Sequence, residues 1–351
     1  MGTPQNPAGI AAEKGKTGVV SFANAPGSKY AIDLFDAAYD GPFNTQEAEI
    51  INLSNQYGYR VAAKLMVQGG PDDVALATVK APGQFDPAKL VFKTFTGEVW
   101  ESKRQAGTMN FLVTIKPGNP NGATTLMALY NSGQGEPELL GKLKVYTYAP
   151  VSKDVVLVPV GGASVQGGLA NELKNLYAPY GITLNIITEP YPEFTGEITT
   201  EGITRLSRYS TSMRALNSQF RLWATQKGTF KNDAQYLFFF KASPSGGGLE
   251  GASLLGDMPR GKQFGYLFGN ANAQVAAHEL GHGIFRLAHT FDSSYGYPEN
   301  STSNLMDYKG GKELVKHQWN ILHDTGIAGW LDDSEDGQYL GCQTFPPTKP
   351  G

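Results

Sequence analysis

Three of the chain's five histidines lie within residues 275–291, VAAHELGHGIFRLAHTF. His278, Glu279 and His282 make the pattern H-E-x-x-H. On a helix, positions i and i+4 share a face one turn apart, so both imidazoles can reach a single cation. Neutral imidazole nitrogen suits zinc at roughly 2.0–2.1 Å. Glu279, beside the first histidine, can turn its carboxylate toward a water on the metal without itself being a ligand. There it would act as general base, taking a proton as the water attacks a carbonyl and passing it to the leaving amine. The bland alternative is a helix with two solvated histidines and a surface glutamate. It fits poorly, because AQVAAHELGHGIF is apolar and glycine-bearing, with the character of a buried segment. Gly281 and Gly283 would each cost about 1 kcal/mol in a plain helix, which points to close packing or a nearby break.

A catalytic zinc usually takes three protein ligands and leaves a position for water. His289 is the natural third. A continuing helix would carry it about 10.5 Å beyond His282, yet ligands of one tetrahedral zinc stand roughly 3–3.5 Å apart. Either the helix breaks between Gly283 and Leu287 and folds His289 back, or His289 is not a ligand.

The elements around this stretch alternate. DVVLVPV reads as a buried strand, SVQGGLANELKNLYAPYG as a helix and ITLNIIT as a strand. RYSTSMRALNSQFRLWATQKG is an amphipathic helix with Met213, Leu216, Phe220 and Trp223 along one stripe. QYLFFFKA and QFGYLFG are strands, and a final helix is expected near 311–323. A glycine-rich insert, SPSGGGLEGASLLGDMPRG, interrupts the series. Such alternation implies a sheet with helices packed against it.

Upstream the texture differs. TGVVSFA, YRVAAKLMV, KLVFKTF, NFLVTIK, TTLMALY and KLKVYTY are short apolar or alternating runs separated by Gly, Pro and Asn. That pattern predicts an antiparallel, Ig-like sandwich. It contains no histidine and no catalytic cluster, which suits a spacer or binding module. The expected fold class is therefore α+β: a flexible leader over 1–16, an all-β sandwich over 17–149, the site-bearing domain over 150–335 and a tail over 336–351.

Composition narrows the partners. The 351 residues carry 29 basic and 32 acidic side chains, net −3, with no basic cluster. A nucleic-acid phosphate backbone is not an expected partner. No run approaches the roughly 18 apolar residues of a membrane span. The N-terminal residues lack a signal-peptide pattern, and Asn6 sits where a myristoylation signal wants Ser or Thr. With Cys342 alone, no intrachain disulfide can form. His317 and His323 are expected as surface or packing residues, and the NSTS sequon at 300–303 as loop.

On HELGH, LAHT and the downstream NLMDY, the chain resembles the metzincin metallopeptidases, whose motif H-E-x-x-H-x-x-G-x-x-H is followed by a Met-turn. The resemblance covers about 155–330 and implies a zincin-type catalytic domain with a mixed sheet and an active-site helix. By it, His278, His282 and His289 hold one Zn2+, Glu279 is the base, and Met306 forms an apolar floor. Tyr308 matches the tyrosine that in astacin-like and serralysin-like members stabilises the oxyanion. The departure is informative. The run from His282 to His289 is one residue longer than the family pattern, and Phe285 stands where the turning glycine belongs. Gly283 is then the expected pivot, with Phe285 or Leu287 packed inside. Asp292, or Glu313 from a later helix, are the other candidates for third ligand. The segment LEGASLLGDMP is where the resemblance places a strand bordering the cleft.

These readings predict a zinc-dependent endopeptidase acting on protein or peptide substrates, a monomer, with the β module attaching to a surface or delivery partner. The resemblance extends, more faintly, to peptidase domains of exported or toxin-type bacterial proteins, implying secretion or export. A degenerate zincin serving as a binding or adhesion protein is the competing expectation, separable by metal content.

Overall fold

A computed structural model of the chain describes residues 18–35, 48–53, 56–81, 83, 85–120, 122–133, 135–199, 209–242, 244 and 254–323. The expected leader, the tail, Cys342 and most of the glycine-rich insert lie outside these residues. The protein is mixed α+β and divides into two compact units, Met1–Ser28 with Ala48–Thr147, and Lys29–Glu47 with Tyr148–Gly351.

The first unit is antiparallel β. Strands β1 (Val19–Asn24), β4 (Asp73–Lys80), β7 (Asn110–Ile115) and β6 (Ser102–Arg104) form one sheet in that order. The other carries β3 (Gln56–Val67), β9 (Glu138–Tyr148), β8 (Gly122–Tyr130) and β5 (Leu90–Thr94), with β2 (Glu49–Leu53) on β3. The two sheets face each other through Phe22, Phe92 and Phe111, whose rings lie 5.8–6.1 Å apart. Tyr59 reaches across to donate to the Val20 carbonyl at 2.9 Å. Strand β4 was not among the expected runs. Its inward positions are Asp73, Ala75, Ala77 and Val79, so the apolar signal is diluted, yet it pairs on both sides.

The second unit is layered. Its sheet runs β11 (Ile182–Thr188), β10 (Val151–Pro159), β12 (Gln235–Phe240), β14 (Phe264–Phe268) and β13 (Gly256–Asp257). The first four are parallel; only the short edge strand β13 is antiparallel. Parallel strands covered on both faces must be apolar throughout, which is why VVLVP and QYLFFF read as continuous runs. Helix α2 (Thr211–Gln226) covers one face with the stripe Met213, Leu216, Phe220 and Ala224. Helices α1 (Leu169–Tyr177) and α3 (Ala273–Phe285) pack against each other, Tyr177 donating to the Ala277 carbonyl at 2.6 Å. The last helix, α4, spans Lys316–His323. The first-turn N–H of Lys316 is accepted by Asp33 at 2.5 Å, and Ala31 donates to Pro179 at 3.0 Å. Ile32–Asp33 also pairs with β3 as a short edge strand. Among the described residues, no helix is long and apolar enough to cross a membrane.

Candidate metal centre

Helix α3 starts at Asn272, whose side chain accepts the Val275 N–H at 3.1 Å. Such a cap satisfies one of the helix's orphan donors. The helix is buried on nearly every side, including His278, Glu279 and His282. Its glycines are explained by methionines. A Cβ on Gly281 would stand 2.6 Å from Met306 Sδ, and one on Gly283 would overlap the Met258 side chain, which also fills the notch at Gly265. Met306 therefore lies directly beneath the helix turn that carries the two histidines.

The helix ends two residues beyond Gly283, not at it. Arg286 adopts φ 56°, ψ 26°, the left-handed region, and its N–H returns to the His282 carbonyl at 3.0 Å. Leu287 donates to Gly281 at 3.1 Å. This is a left-handed helix close made without glycine. Phe285 and Leu287 are both buried, Phe285 against the Tyr177 ring at 5.5 Å. The chain then doubles back and brings His289 to the other two.

His282 Nε2 lies 3.1 Å from His278 Nε2 and 3.0 Å from His289 Nε2. His278 Nδ1 is 2.8 Å from the Leu305 carbonyl and His282 Nδ1 is 2.7 Å from that of Leu287. A carbonyl only accepts, so each Nδ1 carries the hydrogen and each Nε2 presents a lone pair. In the neutral rings these two lone pairs meet with no proton between them, at the separation that ligands of one tetrahedral cation require. Burial holds the rings neutral, taking His278 down to about 4 and His282 and His289 well below the ordinary value. The donor set and its spacing could therefore hold one metal ion.

The other candidates for third ligand are occupied elsewhere. Asp292 accepts from the Ser294 N–H and hydroxyl at 3.0 and 3.1 Å, and the exposed Glu313 accepts from Ser303 at 2.6 Å. Among the described residues, the grouping of side chains that could hold a metal ion is His278, His282 and His289.

Glu279 is buried beneath edge strand β13. A Cβ on Gly256 would lie 2.5 Å from Glu279 Oε1, so only glycine lets the strand approach this closely. Oε1 has no hydrogen-bond partner among the described residues. Burial pushes the carboxyl well above the usual range, the nearby Asp257 carboxyl adds to the shift, and a bond from the Met258 backbone opposes it. Asp257 is itself raised to about 7 by desolvation. Tyr308 stands with its hydroxyl 3.3 Å from His289 Nε2.

Several contributors were not legible beforehand. Phe291 stacks on the His289 ring, centroids 4.6 Å apart and 11° from parallel, and meets Tyr308 edge-on. Asp307, within the NLMDY run, accepts from Asn300 N at 2.8 Å and from the N–H and hydroxyl of Thr302 at 2.8 and 2.7 Å. Asn304 and Gln318 exchange bonds at 2.7 and 3.1 Å. Together these lock the turn that supplies the Leu305 carbonyl and Met306. His317 packs edge-on against Tyr295, and His323 lies against the Ala149 and Tyr180 carbonyls.

Burial of His278 sets a pH dependence in the metal-free protein. Its folded value lies below the unfolded 6.5, so the unfolded chain binds more protons as pH falls through 6.5 toward 4, and stability falls with it. Glu279 and Asp257, both raised, act in the opposite sense, and His282 and His289, both lowered, in the same sense as His278, so the share that depends on His278 is read by substitution. In His278→Asn the side-chain amide can still donate to Leu305, but the titration is gone. The stability gap between wild type and variant, in chelator, should shrink by about 3 kcal/mol between pH 7.5 and 4. A constant gap in urea unfolding would show that His278 is not held neutral.

No family model matches the chain, and no curated protein matches it.

Proposed function

We propose that the second unit is a zinc-dependent endopeptidase domain of the metzincin type. The observation that carries this reading is the convergence of the histidine Nε2 atoms, with two Nδ1 hydrogens committed to the Leu305 and Leu287 carbonyls. The methionine beneath the helix, the tyrosine two residues on and the antiparallel edge strand over Glu279 support it.

His278, His282 and His289 would hold the ion. Zinc, when bound, supplies a Lewis acid that polarises a peptide carbonyl and makes water acidic enough to attack at neutral pH. Glu279 takes the proton from the attacking water and delivers it to the leaving amine nitrogen. A carboxyl raised by burial suits both halves of that transfer, because it binds the proton firmly enough to accept it and still releases it to an amine. Tyr308 donates its phenolic hydrogen to the carbonyl oxygen as negative charge develops there. The carbonyls of Leu305 and Leu287 keep the first two imidazoles in one tautomer and orientation.

Protein purified without chelator should carry about one equivalent of zinc and cleave internal bonds in an unstructured peptide mixture, with activity lost to a chelator and restored by Zn2+. Less than about half an equivalent, with no cleavage after zinc is supplied, would favour a binding protein on a degenerate zincin scaffold.

A further inference from the structure

The turn that returns His289 is made by a residue with a side chain. A left-handed conformation costs a non-glycine residue about 1–2 kcal/mol, so Arg286 at φ 56° needs support. Residues 258–261, just beyond edge strand β13, supply it. Arg260 Nε donates to the Arg286 carbonyl at 3.0 Å. Gly261 N–H donates to the His282 carbonyl at 3.0 Å, the same oxygen that Arg286 N–H uses. Gly261 also leaves room for the Arg286 guanidinium, since a Cβ there would lie 2.6 Å from its Nε.

The bonds from Arg286 and Leu287 to the last helical carbonyls fix where the helix stops. The Leu287 N–H and the Arg286 carbonyl belong to one planar peptide, so the Gly281 bond holds that plane from one side and the Arg260 bond from the other. That plane matters twice. The Leu287 carbonyl orients His282 through Nδ1, and His289 follows two residues later. We infer that Arg260 is a positioning residue for the metal centre: its bond to the Arg286 carbonyl holds the left-handed turn and so sets His289 Nε2 against the other two nitrogens. Arg260 thereby takes the part that a glycine at the turn would otherwise play. The inference rests on the metal-site reading of His289 but not on peptidase chemistry.

The test is Zn2+ affinity, measured by chelator competition in the full chain, with Co2+ absorption as a report on coordination. Arg260→Met keeps the stem and removes the donor. It should weaken Zn2+ binding 10–100-fold, the range for lost outer-shell partners, while Arg260→Lys recovers part of the loss. Two further results should accompany this. In a His289→Ala background Arg260→Met should cause a smaller loss, since only the orientation of His282 is then left to disturb, and adding Arg286→Gly to Arg260→Met should restore affinity, because glycine adopts the turn unaided. A merely structural Arg260 would lower the unfolding midpoint of the metal-free protein and leave Zn2+ affinity unchanged; that result overturns the inference. So would an equal loss with and without His289. Should Arg260→Met alone not fold, Arg286→Gly is compared with the Arg260→Met/Arg286→Gly double variant. Equal affinity is expected there, and a tenfold difference counts against the inference. If zinc affinity behaves as expected but wild type cleaves no peptide, the endopeptidase reading fails and this one stands.

Discussion

Glu279→Gln is expected to bind zinc with unchanged stoichiometry and to hydrolyse peptides about 10²–10⁴-fold more slowly, the usual worth of a general base. The substitution is nearly isosteric, which matters in a site this crowded. Oε1 faces the backbone of Gly256, and a Cβ there would come within 2.5 Å. The amide fits the same space, accepts through its remaining oxygen and cannot take a proton. Metal binding should survive because Glu279 is not among the converging ligand nitrogens. Zinc content by elemental analysis, with kcat and KM on one peptide, reads the two effects separately. A fall in kcat at constant KM is the expected signature. Unchanged turnover in the zinc-loaded variant would remove Glu279 from the chemistry and the proposed mechanism with it.

The second large effect is expected at a residue remote from any ligand. A Cβ on Gly311 would overlap the carbonyl, carbonyl carbon and Cα of Ser303, all backbone that cannot swing aside as a side chain can. Ser303 is joined to the same segment by the Glu313 N–H at 3.0 Å, and Leu305 N–H donates to Glu313 at 2.7 Å. Pushing Ser303 outward therefore moves Leu305, whose carbonyl holds His278 Nδ1, and Met306 beneath Gly281. Gly311→Ala should destabilise the protein by about 3 kcal/mol, the upper part of the overpacking range, and weaken zinc binding as well. Gly310→Ala is the control. Gly310 has open space around its Cβ position but φ 81°, so it should lose about 1–2 kcal/mol from strain alone and keep its zinc affinity. Equal stability losses at the two positions in urea unfolding would show that the Ser303 approach is not what requires glycine.

How much of this was legible beforehand follows the range over which each feature is encoded. The strands β10, β12 and β14 and the helices α1 and α2 announce themselves because each periodicity lies within a dozen or so residues. Strand β4 escaped because Asp73 and two alanines take three of its four inward places, and the bonds from Ala31 to Pro179 and from Lys316 to Asp33 join residues too far apart in the chain to leave a local signal. At the site, residue types and the i, i+4 spacing named His278, Glu279 and His282 directly. The break falls within the expected span from Gly283 to Leu287, but glycine at 283 serves the packing of Met258, and the left-handed turn falls to Arg286. Nothing near Arg286 in the chain marks it for that conformation, since the support comes from Arg260.

What the sequence by itself determined is the chemistry on offer: two imidazoles on one helical face, a carboxylate beside them, and a third histidine whose use requires the helix to stop. Those depend only on covalent spacing and helix geometry. Only the tertiary structure decided that His289 joins the pair. The turn at Arg286 is held by Arg260, the first two tautomers are set by the Leu305 and Leu287 carbonyls, and edge strand β13 presses on Glu279. Residues far apart in the chain meet around a few ångströms of space, and no local periodicity encodes where separate segments pack.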